Sequence, residues 1–119
     1  MTTYQGSCHC GAVKFEIESD LSTVMKCDCS LCRKRNAVMV DVHQDHFKLL
    51  AGEECLGTYQ WNMKIAKHHF CKICGIYIFH RKRSLPEHYG VNLYCLDGVD
   101  FDSVGVEQAF GSQLSTAEN

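Results

Sequence analysis

Nine of the 119 residues are cysteine, and seven of them fall in three tight groups: Cys8-His9-Cys10-Gly11, Cys27-Asp28-Cys29-Ser30-Leu31-Cys32 and Cys71-Lys72-Ile73-Cys74-Gly75. Such a density lies near the roughly 8–10% that marks a disulfide scaffold in short secreted chains. Three features oppose that reading. The opening Met-Thr-Thr-Tyr-Gln-Gly-Ser has no apolar stretch of the kind a signal peptide needs. The cysteine count is odd, which would leave a thiol over. The cysteines are also crowded one or two residues apart, whereas a disulfide needs Cα atoms about 4.4–6.8 Å apart in a specific geometry. A reduced, cytoplasmic protein that uses thiolates as metal ligands is the better expectation.

Zinc in a structural site takes four tetrahedral ligands, and two closely spaced cysteines supply one edge of that tetrahedron. Cys10-Gly11 and Cys74-Gly75 both place glycine after the second cysteine, where a positive φ lets backbone N–H groups approach the sulfurs. Cys8, Cys10, Cys71 and Cys74 therefore read as two halves of one closed zinc site that joins distant parts of the chain. Cys27, Cys29 and Cys32 differ, because no fourth cysteine lies beside them. Three protein ligands with an open position describe a catalytic zinc. Other readings of that group are a second closed site that borrows Cys55, Cys95 or a histidine, a redox thiol cluster, or an iron–sulfur centre. Cys55 and Cys95 lie in strand patterns and read most simply as small core residues. Of His68 and His69, alternation allows only one to face a site as a supporting donor. His9 should point away from the metal.

The rest of the chain reads as short strands. From Ala12 to Glu18, Val13, Phe15 and Ile17 alternate with charged residues, and Val38, Val40 and Val42 alternate with Met39, Asp41 and His43. His46–Ala51 and Leu56–Trp61 read as a hairpin across Gly52-Glu53-Glu54. Ile65–Phe70, Ile76–His80 and Tyr89–Cys95 complete the strands, Leu31–Asn36 suits a short helical turn, and Gly105–Asn119 reads as a polar tail, from about 105, that ends frayed. This predicts one domain over residues 1–119, mainly β and built of two small sheets, which needs a metal staple because so short a chain has little core. Twelve Lys plus Arg against fourteen Asp plus Glu give a net charge of −2, which argues against a nucleic-acid or membrane binder. The triplets Arg33-Lys34-Arg35 and Arg81-Lys82-Arg83 then read as solvated faces.

The motifs Gly6-Ser7-Cys8-His9-Cys10-Gly11, Cys27-Asp28-Cys29-Ser30-Leu31-Cys32-Arg33-Lys34, Phe70-Cys71-Lys72-Ile73-Cys74-Gly75 and Val91-Asn92-Leu93-Tyr94-Cys95-Leu96-Asp97-Gly98 resemble those of the glutathione-dependent formaldehyde-activating enzyme, or S-(hydroxymethyl)glutathione synthase, family. The resemblance spans about residues 4–100 and implies a compact Mss4-like (β-tent) fold. It also implies structural ligands at Cys8, Cys10, Cys71 and Cys74, and an active site at Cys27, Cys29 and Cys32. The implied chemistry is a reversible carbon–sulfur lyase reaction that joins glutathione and formaldehyde. One departure is Ile76-Tyr77, where family members often carry a small residue after the Cys-x-x-Cys-Gly knuckle.

Two hypotheses follow. The first is a lyase with two zinc ions per chain, the second of them labile, acting on glutathione or another thiol and a small electrophile, with Arg33 gripping a substrate carboxylate. The second is a non-enzymatic zinc-binding interaction module.

Overall fold

The computed structural model describes residues 1–60, 66–82 and 85–110. The alternation that begins at Ala12 becomes strand β2 (Lys14–Ser19), with Phe15 and Ile17 buried and Lys14 and Glu18 exposed. Strand β1 (Thr2–Ser7) pairs antiparallel with it from Thr2↔Ser19 to Ser7↔Lys14, and β5 (Phe47–Ala51) pairs along its other edge. These three strands form one sheet in the order β1-β2-β5.

The second sheet has seven strands in the order β10-β3-β4-β9-β8-β7-β6. They are β3 (Val24–Cys27), β4 (Met39–His43), β6 (Leu56–Tyr59), β7 (Lys67–Cys71), β8 (Tyr77–Arg81), β9 (His88–Asn92) and β10 (Glu107–Ala109). Phe15 and Ile17 from the smaller sheet, with Val13 just before β2, meet Val24, Val40, Ile78 and Val91 from the larger, with Leu93 just after β9, in one buried cluster. Each such fully buried aliphatic or aromatic side chain is worth roughly 1.5–3 kcal/mol. The expected helical turn forms as α1 (Ser30–Arg35), and Asn36 ends it in the left-handed region at φ 52°. Among the described residues no helix is long and apolar enough to cross a membrane.

Three expectations need correction. β5 and β6 are not a hairpin: they belong to different sheets, and the chain passes from one to the other through Gly52 and the 3-10 turn Glu53–Cys55. Gly52 has φ 88°, and a Cβ there would collide with the Ala12 carbonyl, so the residues that suit a hairpin turn serve a crossover instead. Cys95 ends not a strand but the 3-10 turn Leu93–Cys95, which Asn92 caps by accepting from the Tyr94 N–H at 3.1 Å. The polar stretch from Gly105 contains a strand that no alternation announced: β10 runs parallel to β3, Gln108 Nε2 donates to the Lys26 carbonyl at 2.8 Å, and the Asp28 N–H donates to the Ala109 carbonyl at 3.2 Å. Trp61, Ile65, Arg83 and residues 111–119, which figure in the expected strands, triplet and tail, lie outside the described residues.

Gly52→Ala places a Cβ against backbone in a left-handed conformation. It should destabilise the fold by roughly 1–3 kcal/mol, the cost of one strained residue. A denaturant midpoint unchanged from wild type would show that the crossover is not rigidly held.

Candidate metal centres

The turn after β1 carries Cys8 and Cys10, while Cys71 ends β7 and Cys74 lies in the turn between β7 and β8, so the first pair hangs from one sheet and the second from the other. Both turns are closed by backbone bonds: the Gly11 N–H to the Cys8 carbonyl at 3.2 Å, and the Gly75 N–H to the Cys71 carbonyl at 2.8 Å. Gly11 and Gly75 have φ 82° and 81°. The Val13 N–H donates to Cys8 Sγ at 3.4 Å.

All four sulfurs lie within 4.8 Å of one another, with Cys8–Cys10 at 3.6 Å and Cys10–Cys71 at 3.7 Å. A zinc ion about 2.3 Å from each of four sulfurs requires edges of about 3.8 Å, so this donor set fits zinc. The ionisation of the group agrees with that fit. The N–H of Ile76 and the neighbouring backbone hold Cys74 down at about 6. At Cys10 the Ala12 N–H favours the thiolate, yet desolvation and the other thiols push it up to about 11. Four thiolates this close cannot ionise together without a cation among them.

Cys27 ends β3, Cys29 is the N-cap of α1, and Cys32 lies in its first turn, with the Cys32 N–H donating to Cys29 Sγ at 3.4 Å. Their sulfurs also lie within 4.8 Å of one another, and among the described residues no fourth cysteine, histidine or carboxylate joins them. Cys55, Cys95 and the histidines are therefore not ligands of this group as it stands. A hydrogen bond with Cys27, together with burial, pushes the Cys32 thiol far above its ordinary range. As with the first group, full ionisation awaits a cation. These three thiols fit a metal ion and leave one position of a tetrahedron to another ligand.

Beside this loop lies a polar cluster that no motif or periodicity predicts. Arg35, three residues after Cys32 on α1, lays its guanidinium 3.9 Å over the Tyr77 ring. The Tyr77 hydroxyl lies 3.2 Å from His68 Nδ1 and 2.7 Å from His80 Nδ1. Arg35 Nη1 and His68 Nε2 are buried with no hydrogen-bond partner among the described residues. Burial pushes Tyr77 above the ordinary phenol range, against the Arg35 charge and with the help of Cys32 and Cys29, so the hydroxyl stays protonated. Burial likewise lowers His80 to about 3 and His68 to about 4. Opposite His80 stands Gly90, where a Cβ would strike the imidazole. Arg35 and Tyr77 also line a cleft of about 380 Å³ with Asn36, Phe70, Asn92 and Tyr94.

Arg33 and Lys34 are exposed, as a solvated face requires, but Arg35 is not part of that face, and it is Arg35 rather than Arg33 that lines the cleft. Arg81 and Lys82, the described members of the second triplet, do not form a solvated face either. Arg81 lies over the Tyr89 ring at 4.7 Å and donates to the Tyr89 hydroxyl at 2.6 Å, and Lys82 pairs with Asp41 at 2.9 Å. His68 and His69 point to opposite sides, His69 toward Thr58 Oγ1 at 3.1 Å and over Phe79. His9 is exposed. Cys55 is half-buried against the core, and Cys95 is buried near the Tyr77 carbonyl, with desolvation raising its thiol to about 12. Arg35, Tyr77 and His80 were missed because their meeting depends on how α1 docks on the sheet, and no local pattern encodes that.

Residues 3–110 match the family described as glutathione-dependent formaldehyde-activating enzyme. A protein from Rhodobacter sphaeroides, known from its crystal structure, is 42% identical, with a TM-score of 0.81 over 89% of this chain and 98% of that one.

The two buried histidines make stability pH-dependent. Each has a folded pKa below the value of about 6.5 that it would have unfolded, so below pH 6.5 the unfolded chain binds protons that the folded chain refuses. Stability is unaffected by them above about pH 7 and falls as pH drops toward 4, by up to about 1.4 kcal/mol per pH unit for each histidine. His80→Gln should show a shallower decline than wild type between pH 6.5 and 4.5 in denaturant titrations. Equal slopes would mean that the His80 imidazole accepts a proton within the fold.

Proposed function

Because the chain belongs to the glutathione-dependent formaldehyde-activating enzyme family, we propose that it is a zinc-dependent carbon–sulfur lyase that joins glutathione to formaldehyde or a similarly small aldehyde and catalyses the reverse cleavage. The observation that carries this reading is the unequal completeness of the two thiol groups, four sulfurs in one and three in the other. In this reading Cys8, Cys10, Cys71 and Cys74 hold a structural zinc, and Cys27, Cys29 and Cys32 hold a second, exchangeable one. A zinc ion with three protein ligands supplies a position at which a thiol loses its proton at neutral pH.

The chain's own residues do the rest. Cys29 caps α1, so its sulfur is fixed by the helix that also carries Cys32 and Arg35. The cleft beside them has room for a peptide-sized thiol, within the usual range of about 300–1,000 Å³ for ligand sites. Arg35 supplies the positive charge on its wall and suits a substrate carboxylate better than the exposed Arg33. A cytoplasmic location, where thiols stay reduced, accords with this chemistry.

Native mass spectrometry with and without glutathione tests the reading. The expected result is two zinc ions per chain, one of them lost or joined by glutathione on addition. One inert zinc and no response to the thiol would remove its basis. The two groups should also separate by mutation. Cys71→Ala breaks a closed site of the kind that contributes about 10–16 kcal/mol of apparent binding energy in zinc-finger peptides, and it should yield an unfolded chain. Cys29→Ala should keep its thermal transition, lose one zinc and lose adduct formation. Unchanged turnover in Cys29→Ala would sink the catalytic assignment.

A further inference from the structure

Of the cluster of Arg35, Tyr77, His68 and His80, the proposed function uses Arg35 alone, yet the fold sustains the whole cluster at a cost. Arg35 Nη1 and His68 Nε2 are both buried without a partner among the described residues, and a buried polar atom left without one disfavours the folded state. We infer that Tyr77 is a catalytic residue of the proposed reaction, its hydroxyl giving a proton to the electrophile's carbonyl oxygen as the thiol sulfur adds to the carbonyl carbon. The inference rests on the adduct-forming reading above and supplies the acid that the thiol groups lack.

Position is the first argument. Tyr77 opens β8 and lines the cleft. Arg35 follows Cys32 by three residues on α1, so the two side chains share a helix face, and Arg35 lies 3.9 Å over the Tyr77 ring. Tyr77 is thus the β-sheet residue against the helix edge that bears the third thiol. The hydroxyl's partners are the second. At 3.2 and 2.7 Å it lies between two Nδ1 atoms, those of His68 and His80. A neutral imidazole carries one proton and one lone pair, so this pair can refill the hydroxyl by exchanging tautomers without leaving a buried ion.

The step balances. The sulfur's electron pair forms the S–C bond, the carbonyl π pair moves onto oxygen, and that oxygen takes the Tyr77 proton. The proton that left the thiol returns to Tyr77 through one of the two imidazoles, which takes a proton at Nε2 and releases its Nδ1 proton to the hydroxyl oxygen. Cleavage of the adduct runs the same path backwards, and no oxidant or reductant is needed.

Tyr77→Phe keeps the ring under Arg35 and removes only the hydroxyl. With glutathione and formaldehyde as substrates, kcat should fall by about 10²- to 10⁴-fold in both directions, the usual range for a positioned acid. Zinc content and glutathione affinity by calorimetry should stay within about threefold of wild type, since the hydroxyl is assigned no part in holding either. His80→Gln should lower kcat less and change the solvent isotope effect on it. A Tyr77→Phe protein with kcat within about threefold of wild type, or one that loses zinc and thiol binding together with kcat, overturns the inference. If Tyr77→Phe does not fold, replacement of Tyr77 by 3-fluorotyrosine keeps the shape and acidifies the phenol. The pH profile of kcat should then shift, and an unmoved profile overturns the role. A wild-type protein that binds glutathione and zinc but forms no adduct defeats the reaction itself, and is distinguishable from an active wild type whose Tyr77→Phe variant is equally active.

Discussion

Four sulfurs from two turns, one on each sheet, are the junction on which the rest of this structure depends. The smaller sheet has three short strands, and its inner face offers Phe15 and Ile17 to the shared core, with the half-buried Phe47 and Leu49 packed against it. That is a thin apolar contact for a chain of this size. The convergence of Cys8 and Cys10 with Cys71 and Cys74 fixes the sheets at one end, and the turn through Gly52 links them in sequence where β5 gives way to β6. Core and thiol cluster are continuous: Cys8 and Cys71 are fully part of the buried cluster, and Cys74 packs against it. A metal at this junction therefore bears on core packing as well as on the turns that hold it.

The three-thiol group shows what one fewer ligand does to similar chemistry. Its sulfurs sit where β3 becomes α1, a place held from outside by β10, whose Ala109 carbonyl receives the Asp28 N–H between the first two cysteines. The loop is thus braced by a strand whose sequence, Glu107-Gln108-Ala109, has no apolar alternation to announce it. Without a metal, Cys32 is held protonated by its bond to Cys27 and by burial. The crowding of three sulfurs suits a cation there, and among the described residues no fourth protein ligand completes a tetrahedron.

The sequence was legible where chemistry is local. Cysteine spacing with Gly11 and Gly75 marked both halves of the four-thiol group, and alternation marked β2 and β4, because a period of two and a turn glycine are properties of a few consecutive residues. It was not legible where partners are distant. Phe47-Lys48-Leu49-Leu50-Ala51 and Leu56-Gly57-Thr58-Tyr59 looked like two arms of a hairpin, but β2 and β7 compete for them and win. Arg35 and Arg81 looked like members of solvated triplets, but aromatic faces at Tyr77 and Tyr89 draw their guanidinium groups inward. A charge run says nothing of which ring will lie beneath it.

These two kinds of information meet at Tyr77. It follows Cys74 by three residues, and the bond from the Cys71 N–H to the Ile76 carbonyl at 2.9 Å fixes where β8 begins. The turn that brings Cys71 and Cys74 into the four-thiol group therefore also sets the register of Tyr77, Phe79 and Arg81 against β9, and with it the position of the Tyr77 hydroxyl against His68 and His80. A slip of one residue in β8 would turn Tyr77 to the opposite face. In the proposed reaction the four-thiol group then has a second consequence beyond folding. By locking this turn it holds the hydroxyl beside the helix that bears Cys32, so the closed site positions a group for the open one.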